Sequence, residues 1–176
     1  MKKLTPILIL SLLFLSCGDS QKEYDLNESI KMDNGLWTEK FSDEPITGKV
    51  YDYFGEESNP KKVYIGNFHD GKQEGKWVFY YHSTGKKSGE RNFKDGERDG
   101  LVTWWYENGK KKLEETYKDG KTNGLVTRWY ENGQKEIELS YRDGKEDGLW
   151  TNWYENGQKS IAVSYTHLTL PTTPYV

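Results

Sequence analysis

Cysteine is all but missing. Cys17 is the only one in 176 residues, so no disulfide within the chain can support the fold. Proline is absent between Pro60 and Pro171, which leaves every backbone N–H in that stretch free to enter a ladder. Histidine is scarce too: only His69 and His82 precede the last ten residues, and both fall at turn positions. No Gly-x-Ser-x-Gly elbow occurs, and nothing assembles a nucleophile, a base and an orienting group. The sequence therefore carries no enzyme signature, no catalytic residue and no cofactor motif. No segment after Leu15 is apolar enough to span a bilayer. A basic excess is lacking as well, with 25 basic against 28 acidic side chains. That sign argues against nucleic acid as a partner, because its recognition needs a basic footprint.

The two ends differ from the rest. Lys2 and Lys3 precede a short apolar run, Leu4 to Leu15, that ends at Ser16-Cys17-Gly18. This resembles a bacterial lipoprotein signal, which implies removal of 1–16 and acylation of Cys17. Without Lys2 and Lys3 the basic count falls to 23 and the net charge to -5. Residues 17–32 read as a polar tether, and the acyl chains would supply the membrane anchor. The expected location is therefore the bacterial cell envelope, on a membrane-anchored lipoprotein. At the other end the pattern stops after Tyr165. Residues 166–176 form a non-repeat tail, and Val163-Ser164-Tyr165-Thr166-His167-Leu168 resembles the translation of a sequencing-library adapter. The expectation is that the reading frame runs into adapter there.

Between the ends a unit of about 24 residues recurs. Tyr-Glu-Asn-Gly begins at Tyr106, Tyr130 and Tyr154; Asp-Gly begins at Asp95, Asp119 and Asp143; a second Asp/Asn-Gly begins at Asp99, Asn123 and Asp147. Three markers with one period define a stacked array. Asn-Gly between two runs of strand formers signals a hairpin whose turn residues both take positive φ. Asp-Gly then turns the chain into the next hairpin, and the following Gly marks a bulge or close backbone approach. Residues 33–165 are thus expected to form an all-β, elongated array of antiparallel β-hairpins, with degraded units near the start acting as a cap.

Alternation divides each strand into two sides. Leu101, Thr103 and Trp105 share one side, repeated by Leu125, Thr127, Trp129 and by Leu149, Thr151, Trp153. This constant side is expected to be internal. The other side varies, through Val102, Trp104, Tyr106, then Val126, Arg128, Tyr130, then Trp150, Asn152, Tyr154. It is expected to be exposed. Trp104, Tyr106, Arg128, Tyr130, Trp150 and Tyr154 are the candidate recognition face, since aromatics with Arg are the usual composition of such surfaces. Phe68, Phe93, Tyr117 and Tyr141 each precede Asp-Gly by two residues and are expected to form a ladder. Asp95 to Gly100 superficially resembles the start of a calcium loop. Position twelve is Tyr106 rather than Glu, and Arg98 sits inside the cluster, so the inter-repeat turn is preferred and no metal site is expected.

Gly-Leu-Trp-Thr-x-Trp-Tyr-Glu-Asn-Gly-Gln-Lys at Gly148–Lys159, with Tyr-x-Asp-Gly-Lys-x-Asp-Gly at Tyr141–Gly148, resembles the bacterial variant of the MORN repeat. Asp43 to Val50 looks like the cap of the YwqK-type antitoxin family. The resemblance covers roughly residues 34–165 and implies antiparallel hairpins with binding or scaffolding roles, to proteins in some relatives and phospholipids in others. The expected function is a non-enzymatic, envelope-anchored binding or scaffold protein with an unidentified protein partner. An antitoxin or immunity protein is one alternative; a binder of lipid headgroups or cell-wall glycans is the other.

Overall fold

The computed structural model describes residues 22–165. They form a 14-stranded sheet and a separate two-stranded one. At the N-terminal end lie β1 (Glu23–Asp25), β2 (Ser29–Lys31), β3 (Trp37–Glu39) and β4 (Gly48–Phe54). β2 and β3 make the small hairpin, while β1 adds to β4 in parallel. The array continues with β5 (Lys61–His69), β6 (Lys72–Tyr80) and β7 (Lys87–Lys94). Three regular units follow: β8 (Glu97–Arg98), β9 (Gly100–Trp105), β10 (Lys111–Lys118); β11 (Lys121–Thr122), β12 (Gly124–Trp129), β13 (Lys135–Arg142); β14 (Lys145–Glu146), β15 (Gly148–Trp153), β16 (Lys159–Tyr165). From β4 to β16 the long strands pair in chain order, as an antiparallel meander. The all-β hairpin array read from the period is the fold.

The expected tether over 17–32 is structured from Glu23 onward, as β1, a 3-10 turn over Leu26–Glu28 and β2. Glu23 is anchored to β5 by the Tyr64 hydroxyl and the Lys62 ammonium. The signal segment, Cys17 and the tail 166–176 lie outside the described residues.

The turns exchange roles relative to the sequence reading. Asp-Gly supplies the two-residue turn with positive φ at both positions, as at Asp143 (50°) and Gly144 (78°), between the paired Arg142 and Lys145. Asn-Gly does not. Only Gly109, Gly133 and Gly157 take positive φ there. Gly109 N–H donates to Tyr106 and Tyr106 N–H to Lys110, which closes a three-residue loop ending in a glycine bulge. Asn108 is kept out of the left-handed region for a reason: its Oδ1 accepts from the Lys110 N–H at 2.9 Å, while its Nδ2 reaches Glu131 of the next unit at 3.1 Å. The second Asp/Asn-Gly is a bulge, as expected. β8 and β9 both pair with β7, and Asp99 lies between them with Gly100 opening β9.

The two sides of the sheet also differ from expectation. Leu101, Leu125 and Leu149 are 48, 51 and 56% exposed, whereas Val102 and Val126 on the variable side are buried. Cross-strand register gives the reason, since directly opposed residues share a side. Val126 opposes Leu139, Arg128 opposes Ile137, and Gly124 opposes Tyr141. The variable residues therefore lie with the apolar residues of the returning strands. Leu125 instead opposes Ser140, and Thr127 opposes Glu138. The bulge completes the effect. β7 and β9 are paired only at Gly89–Trp104 and Glu90–Thr103, and Asn92 Nδ2 satisfies the Leu101 carbonyl at 2.8 Å. The leucine stands at this opening, uncovered. Of the constant triplet, only the threonines are buried.

Burial concentrates toward the N-terminal end. Tyr24, Ile46, Val50, Phe54, Ile65, Phe68, Trp77 and Phe93 form the core, with Trp37 of the small hairpin packed against it. The expected ladder is present here with Trp77 inserted: Phe68–Trp77 and Trp77–Phe93 ring centroids are 5.0 and 6.2 Å apart. Such pairs add about 0.5–1.5 kcal/mol each beyond area burial. Gly66 makes room, because a Cβ there would lie 2.3 Å from the Trp77 ring. Past Phe93 the ladder turns polar, as Tyr117 takes up a guanidinium instead of a ring.

Candidate functional site

Register builds a transverse row from the varying positions. Trp104 opposes Leu113, Leu113 opposes Arg128, Arg128 opposes Ile137, and Ile137 opposes Asn152. Successive units therefore present Trp104, Arg128 and Asn152 at the same place, separated by constant aliphatic side chains. Arg128 is exposed, with Nε 3.9 Å from Glu136. Trp150 is half-buried and its indole N–H donates to Asn152 at 2.6 Å. Trp104 borders a cavity of about 410 Å³ shared with Tyr81, Ser88, Trp105, Lys112 and Leu113.

The tyrosines have a different part. Tyr106 donates to the Trp129 carbonyl at 2.7 Å, and Tyr130 to that of Trp153 at 2.9 Å. Tyr81 does the same to Trp105 at 2.7 Å. Each ties its unit to the next. Burial, then nearby glutamates, push the Tyr81 and Tyr106 hydroxyls above their ordinary range. Tyr154 is 57% exposed and belongs to the last described unit.

On the opposite side lysines lie over the constant tryptophans: Lys87 over Trp105 at 4.3 Å, Lys111 over Trp129 at 5.7 Å and Lys135 over Trp153 at 5.6 Å. Each also pairs with a glutamate three residues on. Glu90 receives Lys76 as well as Lys87. Burial would raise its carboxyl, but the two lysine hydrogen bonds outweigh that and hold it below its ordinary 4.5.

The sequence reading leaves out Arg91. Its guanidinium carbon lies 4.8 Å from the Phe79 ring centre and 4.6 Å from that of Trp104. Gly89 opens this space, since a Cβ there would stand 2.5 Å from the Trp104 ring. Burial and then the charge of Arg98 lower the Arg91 pKa, and its Nε is buried without a hydrogen-bond partner. The signal was present: one period on, Arg91 becomes Glu115 and then Leu139, while Gly89 becomes Leu113 and then Ile137. On the apolar side, then, the sign of the charge changes from Arg91 to Glu115 before Leu139 removes it, and Gly89 stands where the later units have aliphatic side chains.

Other reactive groups are dispersed. His69 lies 3.7 Å from Asp70, both exposed, and the His82 ring rests 4.9 Å from Phe54. Among the described residues no group of three His, Cys, Asp or Glu side chains could hold a metal ion. In the calcium-like segment, Asp99 accepts from the Asp119 N–H at 3.3 Å. Among the same residues no helix is long and apolar enough to cross a membrane.

Residues 98–119, 122–143 and 146–167 are each similar to the family model described as the MORN repeat variant. These segments correspond to the three regular units. No curated protein and no solved structure matches the chain.

Proposed function

We propose that this chain is a non-enzymatic binding or scaffold protein that holds a protein partner on the varied side of its repeat sheet. The observation that carries the reading is the row Trp104, Arg128, Asn152, with Trp150 beside it. An array that keeps its framework residues while changing one accessible position per unit, half-buried at Trp104 and Asn152 and exposed at Arg128, suits discrimination among partners. The similarity to MORN repeats, which in general bind proteins or membranes, supports the same class. In this reading acyl chains on Cys17 tether the array to a bacterial envelope membrane. Tyr106 and Tyr130, which bond to the next unit, keep the surface in register rather than contact the partner.

Affinity capture from envelope extract tests the reading. The wild-type array should retain at least one specific protein that the Trp104→Ala, Arg128→Ala, Trp150→Ala variant loses. Identical captured sets from both would defeat it. A Cys17→Ser protein should leave the membrane fraction and fail to pellet with protein-free liposomes; pelleting would instead assign membrane binding to the repeats.

A further inference from the structure

Beside that row, two guanidinium groups occupy the apolar side of the sheet and form no ion pair within 4 Å among the described residues. Arg91 lies against Phe79 and Trp104, whose own ring centroids are 5.6 Å apart. Arg98, on β8, opposes Phe93 on β7, so it lies diagonal to Arg91. Diagonal neighbours of this kind are about 7–8 Å apart. Arg98 Nη1 donates to the Tyr117 hydroxyl at 2.8 Å, and that hydroxyl donates to Glu115 at 3.1 Å. Arg98 thus reaches a carboxylate only through a phenol, and Arg91 has none within 4 Å among the described residues. Each guanidinium faces a ring, with Arg98 5.0 Å from the centre of Tyr117.

We propose that Arg91 and Arg98, framed by Phe79, Trp104 and Tyr117, bind an extended acidic peptide of the partner through carboxylates at alternate positions. The inference rests on the binding-module reading and names the chemistry of one of its contacts. Three physical arguments carry it. Contact with both rings restrains the Arg91 fork, so less rotamer freedom remains to be lost on binding. A partly buried guanidinium repelled by another gains more from a carboxylate than a solvated lysine does. Alternate side chains of an extended peptide repeat every ~6.6–7 Å, close to the diagonal separation of the two arginines. An anionic bilayer fits less well, because the charge is local and the chain as a whole carries a net charge of -3.

The test is direct titration of the full chain carrying Cys17→Ser with a labelled alternating Glu-Thr peptide at low salt, read by fluorescence anisotropy. A Gln-Thr peptide is the control. Arg98→Gln and Arg91→Lys should each weaken the Glu-Thr peptide about tenfold, while Lys111→Gln with Lys135→Gln leaves it within about twofold. The Gln-Thr peptide should not bind. Equal affinity of wild type and Arg98→Gln, or equal loss in the lysine double variant, would overturn the proposal. So would arginine-dependent binding to phosphatidylserine vesicles without peptide binding. Any of these results would leave the capture experiment, and hence the broader reading, standing or falling separately.

Discussion

The hydroxyl of Tyr106 donates a 2.7 Å hydrogen bond to the backbone carbonyl of Trp129, 23 residues further on. The carbonyl lies at the end of β12, near the hairpin tip, where the ladder gives way to the loop. Side chains thus take over unit-to-unit cohesion at a place that strand pairing does not reach. Asn108 and Asn132 do the same one step further out, donating to Glu131 and Glu155.

Tyr106→Phe keeps the ring and removes only this bond. It should lower stability by about 0.5–1.5 kcal/mol, seen as a lower urea midpoint at unchanged slope. Tyr154→Phe, at a 57% exposed position, should change the midpoint by less than about 0.5 kcal/mol equivalent.

The reversal of sides gives a second contrast. Val102→Ala should cost about 1–3 kcal/mol, from the lost burial and the space left behind. Leu101→Ala, next to it on the open side, should stay within about 0.5 kcal/mol. A leucine cost equal to or above the valine cost would restore the side assignment taken from alternation alone.

Glycine at 66 is a packing requirement. The added methyl of Gly66→Ala would stand 2.3 Å from the Trp77 ring, and that ring is buried. Repacking should cost about 1–3 kcal/mol, with a changed near-ultraviolet circular dichroism signal from the displaced indole. Unchanged stability and spectrum would show that the ring has room to move.

Acid should weaken the tie between β6 and β7 through Glu90. Its carboxyl titrates below its ordinary 4.5 in the folded chain because Lys76 and Lys87 outweigh the effect of burial. The stabilisation is therefore complete above 4.5 and is lost as pH falls through the lower folded value. Glu90→Gln should flatten the fall in urea midpoint between about pH 5 and pH 3. An equally steep fall in that variant would locate the acid sensitivity elsewhere.

The markers at Asp95, Asp119 and Asp143, the bulge glycines and the Tyr-Glu-Asn-Gly loops specify where the chain turns, because turns are set by local backbone preference. Strand existence and order followed from them. Turn type was less legible: Asn-Gly satisfies two loop geometries, and only the Asn108 side-chain bonds select the three-residue one. The candidate face was legible as a set of varying residues, yet Tyr106 and Tyr130 could not be separated from Arg128 without knowing that a carbonyl of the next unit stands within reach.

The sequence by itself therefore determined the period, the hairpins and the absence of a disulfide, since each is a property of neighbouring residues. Tertiary structure decided which side is buried, because burial depends on what opposes each residue across the sheet: Leu139 covers Val126, while Leu125 meets only Ser140. It also brought Arg91 against Phe79 and Trp104, three side chains from separate strands. Register joined them, and a 24-residue period contains register only once the turns and bulges have fixed it.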